Sequence, residues 1–131
     1  MVRELVLGGF LLAAGLGAAQ TQESKGGPVG TWKGESHCTV KPSSCQEETV
    51  VYYISRASTG AKLVMKANKV VDGEEVSMGD LECAWADPSH TLTCEMPRGT
   101  WSFTVSGDSM AGTLKLTDGT LFRKVSVTRA K

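Results

Sequence analysis

The feature that most constrains this chain is a succession of short alternating segments, separated by turn residues at intervals of about ten residues. Within each segment apolar and polar side chains alternate, as they do in a strand that buries one of its two faces. No segment shows the helical period over a useful length. The pattern therefore predicts an all-β fold.

The alternation predicts eight strands, at residues 30–40, 48–57, 61–71, 75–85, 91–96, 100–105, 110–116 and 120–129. Asp72-Gly73 and Asp118-Gly119 are strong hairpin turns, and Gly79 predicts a bulge or corner in the fourth strand. Because every link is short, strands that follow one another should pair antiparallel. Closure hides both edges of such a sheet, so we expect an eight-stranded antiparallel up-and-down barrel.

The predicted inward faces mix bulky residues with the small residues Gly34, Ser36, Ala67 and Gly112. An eight-stranded barrel has an interior that side chains nearly fill or that holds one small ligand. The small residues therefore either leave internal space or let the walls bend and pack closely, and close packing is the preferred interpretation.

The N-terminal segment 1–19 has the pattern of a secretory signal peptide. Arg3 precedes an apolar run, and small residues lead to a predicted cleavage after Ala19. The apolar run is about a dozen residues, whereas a membrane-spanning helix needs roughly 18. We therefore expect no stable membrane insertion, a flexible lead-in at 20–29 and one β-barrel domain at 30–131.

Export makes the cysteines Cys38, Cys45, Cys83 and Cys94 candidates for two disulfides. Turn residues lie between Cys38 and Cys45 and between Cys83 and Cys94, so each pair is predicted to join the arms of its own hairpin. Both spacings are longer than those of zinc sites, so no metal site is predicted. These features predict a secreted or periplasmic protein.

The charge balance and the lack of a catalytic motif argue against nucleic-acid binding and against enzymatic activity. The chain has 14 Lys and Arg against 14 Asp and Glu, which gives no electrostatic reason to expect nucleic acid as a partner. His37 and His90 lie in or beside the disulfide hairpins. The neighbouring carboxylates Glu47 and Glu48 should point to opposite faces of a strand, so both are expected to be exposed to solvent at the strand start and not to act as an acid and a base. We therefore predict a protein that is not an enzyme and needs no cofactor.

Gly30-Thr31-Trp32 at the start of the first strand, the eight-strand meander and an arginine on the last strand resemble the calycin superfamily of lipocalins, fatty-acid-binding proteins and avidins. Lipocalins carry a G-x-W motif on their first strand and an arginine on the last strand that packs over this tryptophan. Arg123 or Arg129 is the candidate for that arginine. The resemblance implies a barrel that carries a small molecule.

The sequence leads to two main functional hypotheses. The first is an exported, non-enzymatic and monomeric carrier of a small apolar ligand, with a site inside the barrel formed by Trp32, Met65, Trp101, Phe103, Leu114 and Arg123. The second is an extracytoplasmic protein-binding module, such as a protease or lysozyme inhibitor, because rigid hairpin loops lose little entropy on binding. An enzymatic role has only residues of ordinary composition behind it.

Overall fold

A computed structural model describes residues 27–41, 44–58 and 60–131. The strands are β1 (Gly30–Cys38), β2 (Glu48–Arg56), β3 (Leu63–Val71), β4 (Glu74–Ala86), β5 (Thr91–Met96), β6 (Gly99–Ser106), β7 (Ser109–Leu116) and β8 (Leu121–Arg129). Each strand pairs antiparallel with the next, and β8 pairs with β1 to close the barrel. The predicted eight-stranded up-and-down barrel is confirmed.

The predicted signal peptide at 1–19 and residues 20–26 of the lead-in lie outside the described residues. Within the described ranges, no helix has the length and apolar character needed to cross a membrane. The strands begin and end within about two residues of their predicted limits. The largest differences are that β1 ends at Cys38 and β3 begins at Leu63. Residues 61 and 62 belong to the turn instead, because the Ala57 N–H donates to the Lys62 carbonyl across it.

Alternating side chains from all eight strands fill the barrel, and its central layer is aromatic. Phe103 contacts Tyr52 edge-on at 5.9 Å between ring centroids and stacks on Trp101 at 5.5 Å. The buried residues that share this interior are Trp32, Val50, Tyr52, Ile54, Leu63, Met65, Cys83, Leu92, Cys94, Phe103, Val105, Met110, Val125 and Val127. One apolar face per strand therefore forms a single core.

Two of the small inward residues serve close packing. A Cβ atom at Gly34 would lie 2.1 Å from the Ser126 carbonyl oxygen, and one at Gly112 would lie 2.2 Å from the Phe103 ring. Any side chain at these positions would displace either a neighbouring strand or the Phe103 ring. The interpretation that small residues let the walls pack is confirmed here.

The β3–β4 hairpin is the most irregular part of the wall. Its turn places Asp72 and Gly73 in the left-handed region, with φ of 52° and 83°, as expected for a short hairpin turn. The ladder shifts register between Ala67 and Asn68, opposite Gly79, which confirms the predicted bulge. On its other side β4 pairs with β5 only from Cys83 to Ala86, so among the described residues 74–82 pair with β3 alone.

Both predicted disulfides are present, Cys38–Cys45 and Cys83–Cys94. Cys38 is the last residue of β1, and Cys83 faces Cys94 in the β4–β5 ladder. The second disulfide therefore joins the two strands at the point where their pairing stops. Two disulfides fit an oxidising, extracellular environment.

Candidate functional site

One end of the barrel is closed by Trp32. Its ring is fully buried, and its indole N–H donates to the Pro28 carbonyl at 2.9 Å. The Arg129 guanidinium lies 4.3 Å from the ring centroid, within the range of a cation–π contact. Arg129 also donates to the carbonyls of Val29 and Gly27, both at 2.9 Å. Arg129, and not Arg123, therefore packs over the tryptophan.

The other half of the barrel contains a cavity of about 250 Å³. Five residues of the predicted interior site line it, namely Met65, Trp101, Phe103, Leu114 and Arg123. Trp32 is not among its lining residues, because this side chain fills the closed end. The cavity brings in further residues that the predicted site does not contain, namely Ser36, Glu48, Tyr52, Ala67, Met78, Gly79, Asp80, Leu81 and Met96.

Some of these additional lining residues could have been predicted from the alternation in the sequence. Tyr52 alternates with Val50 and Ile54, which already placed its side chain inside the barrel. Residues 78–81 line the cavity because β4 separates from β5, and local alternation carries no information about where a ladder ends.

The cavity borders the stretch where β4 and β5 no longer pair. Met78 and Leu81 on β4 and Met96 at the end of β5 line the cavity on the side where the two strands no longer pair. Met78 is 42% exposed, so an apolar side chain stands at the rim. The cavity is therefore bordered by a part of the wall that lacks β4–β5 pairing.

Arg123 lies in the cavity wall, and its charge is compensated. Its Nη1 donates to the Ser36 hydroxyl at 2.8 Å, and its Nη2 donates to the Gln46 carbonyl at 2.7 Å. Nη2 also lies 3.6 Å from Oε2 of Glu48, in an ion pair whose side chains are only 11% and 18% exposed. Arginine and glutamate thus form a neutral polar patch in the wall. Asp80, the remaining charged residue of the lining, is exposed and lies opposite the exposed Lys66 in the β3–β4 ladder.

Tyr52 carries a buried hydroxyl beside this patch. The residue is 3% exposed and lines the cavity. Burial raises the pKa of the Tyr52 phenol well above its ordinary value, and the negative charge of Glu48 raises it further. Among the described residues no group forms a hydrogen bond with this hydroxyl. It is a neutral phenol that can both donate and accept.

The histidines lie outside the cavity lining. His37 Nδ1 is 2.6 Å from Oε1 of Glu47, in a pair whose side chains are 56% and 52% exposed. The hydrogen bonds from His37 and from the Cys38 N–H lower the pKa of Glu47. His90 lies 5.8 Å from the Trp85 ring. The His37–Glu47 pair therefore faces water, and His37 lines a separate, more open groove together with Thr104 and Lys124.

No three His, Cys, Asp or Glu side chains in the described ranges are grouped so that they could hold a metal ion. In comparisons with known proteins, no family model and no curated protein matches this chain. The meaning of the cavity must therefore be derived from its own geometry and chemistry.

Proposed function

We propose that this protein is an exported, monomeric and non-enzymatic barrel that binds one small, mainly apolar molecule in the cavity. The observation that carries the proposal is the lining, in which Met65, Trp101, Phe103 and Leu114 surround enclosed space beside the β4–β5 gap. Concave sites of this kind, apolar with a few polar groups, are typical of small-molecule binding. The Trp32–Arg129 contact supports the resemblance to lipocalins.

The volume limits the size of the ligand. Cavities that hold drug-sized molecules measure about 300–1,000 Å³, whereas an apolar cavity of about 150 Å³ holds benzene. The cavity of about 250 Å³ lies between these values. The proposed ligand is therefore larger than benzene and smaller than a typical drug, unless part of it extends through the gap.

The proposal is tested by filling the cavity. Ala67 lines it on β3, so Ala67→Leu places a larger side chain in the space that the ligand would occupy. Ala84→Leu on the exposed face of β4 is the matched control. A panel of small lipophilic compounds is screened by the fluorescence of Trp101 and by thermal shift.

We expect binding in the wild type and in Ala84→Leu, and its loss in Ala67→Leu. Equal binding by Ala67→Leu would place the ligand elsewhere on the protein. Absence of binding by the wild type to every compound would contradict the proposal.

One observation favours the second hypothesis, a protein-binding module. In the described chain, residues 74–82 of β4 have no partner on the β5 side, and Val76 and Met78 are 43% and 42% exposed. An extended peptide can add a strand to such an edge. Val76→Pro, which removes a backbone donor, should then weaken binding to lysozyme or a secreted protease, measured by inhibition titration, whereas Ala67→Leu should not.

A further inference from the structure

We propose that the cavity selects a ligand with a neutral polar group that both donates and accepts hydrogen bonds, such as an alcohol or an amide. This group would lie between the Tyr52 hydroxyl and the Glu48 carboxylate, with the apolar part of the ligand against Trp101 and Phe103. The inference rests on the proposed function and names the class of ligand that the same site takes.

The first argument is the unpaired hydroxyl of Tyr52. A buried polar group without a hydrogen bond destabilises the fold, and nearly all buried polar groups in proteins have a partner. The Tyr52 hydroxyl is buried in the cavity wall, and no described residue supplies a partner. A polar atom of a ligand, or a water molecule that the ligand displaces, is needed to complete the site.

The second argument is that Arg123 is already occupied. Its two terminal nitrogens donate to the Ser36 hydroxyl and the Gln46 carbonyl, and Glu48 compensates its charge. An anionic ligand would face the Glu48 carboxylate without a free cation to pair with. A cationic ligand would face the Arg123 guanidinium. The other carboxylate of the lining, Asp80, is exposed and lies opposite Lys66 in the β3–β4 ladder, away from the polar patch that Arg123 and Glu48 form. A neutral group avoids both repulsions.

The third argument is the direction of the remaining hydrogen bonds. The Glu48 carboxylate only accepts, so the ligand must offer it a donor. The Tyr52 hydroxyl can donate to an oxygen of the same ligand group. A hydroxyl or an amide satisfies both neighbours, whereas an ether or ketone satisfies only Tyr52.

The experiment compares 1-octanol, octanoate and octylamine, which share one chain length and differ in the polar group, with toluene as a purely apolar probe. Affinities for the whole folded protein at pH 7 are measured by calorimetry and tryptophan fluorescence. We expect 1-octanol to bind at least tenfold more tightly than octanoate or octylamine. Octanoate or octylamine binding as tightly as 1-octanol would overturn the inference.

Two pairs of variants identify the polar neighbours. Tyr52→Phe should weaken 1-octanol binding about two- to tenfold, the equivalent of one hydrogen bond, and leave toluene binding unchanged. Tyr53→Phe is its control, because that hydroxyl donates to Glu75 at 2.7 Å on the outer face. Glu48→Gln should selectively strengthen octanoate binding, whereas the exposed Glu47→Gln should not.

The failure of this inference is distinguishable from failure of the proposed function. If toluene binds, Ala67→Leu abolishes its binding and Tyr52→Phe leaves 1-octanol binding unchanged, the cavity binds ligands but the assigned polar group is wrong. If none of the four probes binds the wild type, both proposals are overturned.

Discussion

The two ends of the barrel use the same residue type on the same strand in different ways. Arg123 and Arg129 both lie on β8 and both point inward. Arg129 covers the Trp32 ring and donates hydrogen bonds to backbone carbonyls, so side chains fill the interior at this end of the barrel. Arg123 bonds to the small Ser36 and pairs with Glu48, and open space remains beside it.

The residue on β1 that each arginine contacts therefore determines whether the arginine packs over a ring or lies beside open space. Trp32 stands opposite Arg129 in the β1–β8 ladder, and its large ring fills the barrel. Toward the other end of β1 the inward position is Ser36, whose hydroxyl reaches Arg123 but leaves volume unfilled. One end therefore contributes mainly to stability, and the other contributes the candidate site.

The largest expected effect comes from breaking the closed end. Trp32→Ala should lower the free energy of unfolding by about 3–5 kcal/mol, because it leaves a large cavity and removes the Arg129 contact. Urea unfolding measures the change. Trp85→Ala, at a partly exposed ring, is the control and should cost less. A loss below about 1 kcal/mol for Trp32→Ala would be the behaviour of a surface site.

The two disulfides provide a second comparison, between two regions of the barrel wall. Removing Cys83–Cys94 with paired alanines should cost about 2.8 kcal/mol, and removing Cys38–Cys45 about 2.4 kcal/mol, because the Cys83–Cys94 disulfide closes the longer loop. Cys83 and Cys94 are also fully buried, with exposures of 1% and 0%. Chemical unfolding of both double variants measures the order. An equal or reversed order would show that burial and loop length do not control stability here.

Replacing each arginine in turn tests whether the two ends of the barrel have separate roles. Arg129→Met should lower the free energy of unfolding by about 2 kcal/mol, because it removes the cation–π contact and leaves two carbonyls without their donor. Its affinity for 1-octanol should stay at the wild-type value. Arg123→Met should also destabilise the fold, because it leaves the poorly exposed Glu48 carboxylate without its cation, but unlike Arg129→Met it should change the affinity for 1-octanol. Altered 1-octanol binding in Arg129→Met would contradict this separation of the ends.

The smallest effect concerns the outer wall of β2–β4. Hydrogen bonds from Asn68 and Tyr53 lower the pKa of the Glu75 carboxyl below its ordinary 4.5. The charged form is favoured in the folded state, so its contribution is present above about pH 4.5 and is lost as the pH falls through the lowered folded value.

Glu75→Gln should therefore flatten the decrease in stability on acidification, measured by urea unfolding between about pH 6 and pH 3 around the range of this titration. Glu74→Gln, at the adjacent exposed position, should keep the wild-type slope. The same slope in both variants would remove Glu75 from the acid response.

Four features could be predicted from the sequence alone: the eight strands, the turns between them, the residues that face inward and the pairing of the cysteines. These features follow from local rules, since alternation identifies a face and Asp-Gly identifies a turn. Cys38 and Cys45, or Cys83 and Cys94, lie near each other because short links make neighbouring strands pair. Five residues of the cavity lining, among them Trp101 and Phe103, could be predicted in the same way.

Three features depend on the folded barrel and not on the local pattern: which arginine covers Trp32, where β4 separates from β5, and that no described residue bonds to the Tyr52 hydroxyl. Arg123 and Arg129 share one face of β8, so alternation cannot distinguish them. The face of a residue depends on its own strand, whereas its height along the barrel depends on the register of every ladder around the closed sheet. The β1–β8 register places Cys38 opposite Arg123 and Ser36 opposite Val125, and the Arg123 guanidinium reaches back to the small Ser36 beside the cavity.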